Sequence, residues 1–95
     1  MSDLNKRFSI DESRVSWRLM GDQAMILDLD SGFTYSLNQS GALIWQGIGK
    51  ERTLAEILKS LKEAYDLREE SLLRDLLSLL RELETAGLVV PAKAS

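Results

Sequence analysis

Apolar residues recur along this chain with two spacings, and the change from one to the other divides it. Val15, Trp17 and Leu19 alternate with Ser16 and Arg18, the period of a half-buried strand. Gly21-Asp22 marks a turn, and Gln23 to Asp28 follows with Ala24, Met25, Ile26 and Leu27 in a row. Such a continuous run suits a central strand covered on one face and partly on the other. Ser31-Gly32 is a second hairpin-type turn. Phe33, Tyr35 and Leu37 then alternate with Thr34 and Ser36, predicting a third strand over 33–37 and an antiparallel meander.

From Asn38 the period is helical. Asn is a favoured N-cap, and Leu43, Ile44, Trp45 and Ile48 form the apolar set of a helix of about ten residues, with Gly47 and Gly49 ending it. Thr53 and Glu56 make a capping box for a second helix, whose apolar face holds Leu54, Ile57, Leu58, Leu61, Ala64 and Tyr65. After a break at Asp66-Leu67-Arg68, a third helix runs from Glu69 to Ala86 and stops at Gly87, a left-handed C′ position. Leu88-Val89-Val90 can pack back before Pro91. The expected organisation is a mobile N-terminal arm over 1–13, one domain over 14–90 and a tail over 91–95. The fold class is α+β: a three-stranded antiparallel meander followed by three α-helices, in a winged-helix-like arrangement.

Two of these elements are more apolar than a small core requires. On the third helix, Leu72, Leu76, Leu79 and Leu83 form one stripe, and Leu73, Leu77 and Leu80 a second about 100° away. The combined arc is about 160°, wider than the roughly 100° that faces a single core. Either the helix is sandwiched between the sheet and the other helices, or one stripe is open to a partner, a second copy of the chain included. The third strand is a sheet edge without the lysine, proline or bulge that usually guards one. Its backbone can accept an extended chain by strand addition, unless a loop or the N-terminal arm covers it.

Composition narrows the chemistry. The chain has 95 residues, enough for one core, and 44% of them are hydrophobic, which argues against disorder. It contains no Cys and no His, so disulfides, thiolate chemistry and imidazole proton transfer are excluded. No carboxylates are spaced as in a calcium loop, and Gly21, Gly32, Gly41, Gly47, Gly49 and Gly87 make no phosphate-binding fingerprint. Neither an enzyme nor a cofactor or metal is expected. Met1 to Ser13 lacks an apolar signal-type run, and no stretch approaches the ~20 apolar residues of a membrane span. The expected setting is cytoplasmic, away from membranes. Trp17 and Trp45 read as core anchors, Asp28 and Asp30 as strand-end and turn residues, and Lys50-Glu51-Arg52 as a solvated loop.

The order and spacing of these features resemble the PqqD-like family. The resemblance is carried by Ala24-Met25-Ile26-Leu27-Asp28-Leu29, Ser31-Gly32 and Tyr35-Ser36-Leu37-Asn38-x-x-Gly41-x-x-Ile44-Trp45. It continues through Thr53-Leu54-x-Glu56-Ile57, Leu61, Tyr65 and Leu83-x-x-x-Gly87-Leu88, covering about residues 14 to 90. Gly41-Ala42-Leu43-Ile44-Trp45 is closer to the broad group than to the members serving pyrroloquinoline quinone synthesis. The resemblance implies a peptide chaperone that recognises the leader of a ribosomally made precursor and presents it to a modifying enzyme such as a radical SAM protein. It implies a leader added as a strand to the third strand and lying on the third helix. Carried onto this chain, the strand is Phe33, Thr34, Tyr35, Ser36 and Leu37, and the helix contributes Leu72, Leu73, Leu76, Leu77 and Leu80. Arg74 and Arg81, beside the apolar arc, are candidates to pair with acidic leader residues.

Two other classes compete. A DNA-binding winged helix shares the topology, but a net charge of −3 and a third helix with Arg68, Arg74 and Arg81 against Glu69, Glu70, Asp75, Glu82 and Glu84 offer no basic stripe, so no nucleic-acid partner is expected. A purely structural subunit would bury the same apolar helix in an oligomer.

Overall fold

The computed structural model describes residues 4–92. In chain order the elements are β1 (Phe8–Ile10), β2 (Val15–Met20), β3 (Gln23–Asp28), β4 (Thr34–Leu37), α1 (Gln39–Gly49), α2 (Leu54–Ala64), α3 (Glu69–Thr85) and β5 (Val89–Pro91). As the alternation predicts, β2, β3 and β4 form an antiparallel meander in that order, followed by three helices. Trp17 lies opposite Ile26, and Ile26 opposite Tyr35. Directly opposed residues share a face, so Val15, Trp17, Ala24, Ile26, Asp28, Tyr35 and Leu37 look inward. Helix α1 packs on that face against β3. The buried Trp45 of α1 meets Trp17 edge-on, with centroids 5.8 Å apart.

Local chemistry sets the helix starts. Asn38 is extended and its side chain accepts the Gly41 N–H at 3.0 Å. At α2 the Thr53 hydroxyl accepts the Glu56 N–H at 3.1 Å, and the Glu56 carboxylate accepts the Thr53 N–H at 2.7 Å. Gly47 lies inside α1 rather than ending it. A Cβ there would lie 2.6 Å from Ile57 Cγ1, so the absence of a side chain lets α2 approach.

The N-terminal expectation is corrected. Residues 8–10 are not an arm but a strand paired with β5, Ile10 opposite Val89 and Phe8 opposite Pro91. Phe8 and Ile10 are buried in the core beside Val89 and Leu88. The preceding residues satisfy the first turn of α2, whose Leu54 and Ala55 N–H groups donate to the carbonyls of Lys6 and Leu4. Pro91 and Ala92 also belong to this pairing, Ala92 N–H donating to Arg7 C=O at 3.0 Å, so the expected tail begins no earlier than residue 93. Residues 1–3 and 93–95 lie outside the described residues.

Of the two readings of α3, the structure does not show the sandwich. The helix packs on α2, β5 and α1 and buries one stripe, Leu72, Leu76, Leu80 and Leu83. Leu73 and Leu79 flank this stripe half-buried, and Leu77 is exposed. Toward β4 the two elements stand apart, and that separation makes the site.

Candidate functional site

Three features of the sequence place β4. The turn before it is pinned by Asp28, a buried carboxylate. Arg14 Nε donates to Asp28 Oδ1 at 3.2 Å, Ser31 Oγ to Oδ2 at 2.8 Å and the Asp30 N–H to Oδ1 at 3.0 Å. The Arg14 hydrogen bond, helped by Ser31 and the Asp30 N–H, holds the Asp28 carboxyl well below the usual carboxylate range despite burial. Gly87 sits under the same arginine with φ of +79°, and a Cβ there would lie 2.7 Å from Arg14 Nη1. At its other end β4 runs straight into the Asn38 cap of α1.

Register decides which backbone groups are free. The Asp28 N–H donates to Phe33 C=O at 2.8 Å, and the pairing continues with Ile26 opposite Tyr35 and Ala24 opposite Leu37. Hydrogen-bonded and non-hydrogen-bonded pairs alternate along an antiparallel ladder. Tyr35 and Leu37 therefore turn their N–H and C=O groups toward β3, and Thr34 and Ser36 turn theirs outward; Phe33 gives β3 only its C=O, its N–H donating to Ser31 Oγ at 3.2 Å. Among the described residues no strand pairs with that outer edge. The N-terminal segment, one candidate cover, is engaged with β5 and α2 instead.

Beside the open edge runs a groove. One part, about 560 Å³, lies between Thr34, Tyr35, Ser36 and Leu37 and the Leu79, Glu82, Leu83, Ala86 and Leu88 side. A second part, about 430 Å³, continues along Asn38, Ser40, Gly41 and Ile44 opposite Asp75, Ser78, Leu79 and Glu82. Both share Ser36, Leu37, Leu79 and Glu82, so the two parts adjoin. An extended chain paired to β4 would point alternate side chains into the groove.

The structure brings together part of the residue set read from sequence. Thr34, Tyr35, Ser36 and Leu37 line the groove, whereas Phe33 precedes the strand and is exposed. Leu72, Leu76 and Leu80 are core residues. Leu73, Leu77, Arg74 and Arg81 line neither part of the groove. At 100° per residue Arg74 and Arg81 lie about 100° or more around the helix from Asp75. The α3 side consists instead of Asp75, Ser78, Leu79, Glu82, Leu83 and Ala86. Half-buried Leu79 was the available signal, as the flank of the apolar arc nearest these polar residues.

Among the described residues no group of three or more carboxylates is arranged to hold a metal ion. No described helix is long and apolar enough to cross a membrane. The family model for coenzyme PQQ synthesis protein D (PqqD) matches residues 23–89, and the chain belongs to this family. Two solved structures are similar in fold. TbiB1, in complex with the TbiA(beta) leader peptide, is 24% identical with a TM-score of 0.80, over 92% of this chain and 99% of that one. Lasso peptide synthetase B1, complexed with the leader peptide, is 25% identical with a TM-score of 0.78, over 88% of this chain and 98% of that one. A comparison with curated proteins gives no match.

Proposed function

We propose that this chain is a non-catalytic recognition domain for the leader segment of a ribosomally synthesised precursor peptide, which it presents to a separate modifying enzyme. The observation that carries the reading is the open edge of β4, with the Thr34 and Ser36 backbone turned outward beside an apolar-floored groove. Strand addition supplies affinity through main-chain bonds, and alternate side chains dropping toward Leu79 and Leu83 supply selectivity. Family membership supports it, as do the leader peptides bound by TbiB1 and lasso peptide synthetase B1. The absence of His and Cys suits a protein that leaves the chemistry to its partner, a radical SAM enzyme being one class. The leader lies along β4 and the Leu79 flank of α3, while the substrate core stays free.

Synthetic leaders from short reading frames adjoining the gene, titrated into isotope-labelled full-length protein, test this. Amide shifts concentrated at residues 33–37 and 75–86 are the expected result. Shifts concentrated on Leu73, Leu77 and the outer sheet face would place the ligand elsewhere, and no saturable shift from any adjoining leader would sink the reading.

A further inference from the structure

We infer that the β4–α3 groove selects extended peptides carrying a lysine or arginine at a groove-facing position, and rejects peptides with an acidic residue there. The inference rests on the reading of the groove as a peptide site and adds the charge of its occupant. The charged side chains lining the groove are Asp75 and Glu82, both acidic, and no lysine or arginine lines either part. Neither carboxylate takes part in an ion pair among the described residues. Glu82 borders both parts of the cavity and Asp75 borders one. Seven residues apart, they lie within about 20° on the helix and about 10 Å along its axis.

The floor between strand and helix is apolar, with Leu37, Leu79 and Leu83. A basic side chain matches this combination, since its aliphatic stem can lie on leucine while its head reaches a carboxylate at the rim. Side chains of an added strand that share one face recur about every 7 Å. One or two basic residues of the same parity are thus placed to reach this acidic row. An aspartate or glutamate at those positions would instead be brought against like charge as water is displaced, which discriminates by repulsion. Arg74 and Arg81, on another part of the helix, do not neutralise the row.

The test is selection of a randomised, displayed peptide library on the full chain and on a Glu82→Lys variant, followed by amide-shift mapping of the winners. Glu82 is exposed and makes no ion pair, so the variant should retain its fold, which circular dichroism verifies. The expected result is enrichment of lysine or arginine at alternate positions on the natural chain, with the preference lost or reversed toward acidic residues on the variant. For an individual winner, Glu82→Gln or Asp75→Asn should weaken binding about two- to fivefold, the scale of partly exposed ion pairs. Winners that shift Thr34 and Ser36 but share one charge-neutral composition on both proteins would overturn the charge selection while leaving the groove intact. Winners mapping elsewhere, or no enrichment, would overturn the groove reading and this inference together.

Discussion

At the scale of single residues, Asp28 is where burial and ionisation meet. Its carboxyl is depressed by the Arg14 hydrogen bond, with Ser31 and the Asp30 N–H assisting. A folded-state pKa below the unfolded value means the carboxylate adds stability at pH above about 4, and the contribution is lost as pH falls below that. Acid titration of the thermal midpoint should show this loss in the natural chain. Asp28→Asn should be less stable at neutral pH and lose less on acidification from pH 5 to pH 2. An unchanged acid slope in the variant would remove Asp28 from the account. The capping box offers a second test, because Thr53→Ala leaves the Glu56 N–H without its side-chain acceptor. A cost of about 1 kcal/mol in urea unfolding is expected.

Among elements, β4 makes the most pointed demand. Pro lacks an N–H and is tolerated in strands where that group faces out of the sheet. Ser36→Pro should therefore keep the fold and lose leader binding, since it removes an outward donor from the edge. Tyr35→Pro removes a donor turned toward β3 and should lower the melting temperature sharply. Equal destabilisation of the two variants would show that the register is not as described. On α3 the same logic separates core from surface: Leu76→Ala should cost about 2–5 kcal/mol, whereas Leu77→Ala on the exposed flank should cost far less.

Local signals made the meander and helices readable before the structure, because Asn38 and the Thr53–Glu56 box act within three residues of themselves. What escaped was non-local. The alternation of Phe8, Ser9 and Ile10 spans only three residues between polar flanks, and its partner, Val89–Pro91, lies at the other end of the chain. Likewise Arg14 reaches Asp28 only once the hairpin has closed. The wide apolar arc of α3 was visible, but not which flank meets the groove. Leu73 and Leu79 sit almost symmetrically about the buried stripe, and the packing of α3 on α2 and β5 decides between them.

For the whole molecule, the N-terminal strand closes the core, and among the described residues no strand covers the β4 edge. The domain is thin, about 35 × 33 × 19 Å, so few residues separate its core from water and each strand carries a large share of the burial. Deleting residues 1–10 removes buried Phe8 and Ile10, together about 3–6 kcal/mol of apolar burial. That is a large fraction of the stability of a domain this size, and chemical denaturation should show the truncated chain mostly unfolded or strongly destabilised. With β1 paired to β5, no described strand covers the outer edge of β4, and the proposed strand addition there is the central claim. Amide hydrogen exchange with and without a bound leader tests it most directly. The outward N–H groups of Thr34 and Ser36 should exchange quickly in the free protein and slow at least tenfold when the leader binds, while Tyr35 and Leu37 stay protected throughout. Saturating leader that leaves Thr34 and Ser36 exchanging at their free rates would contradict it.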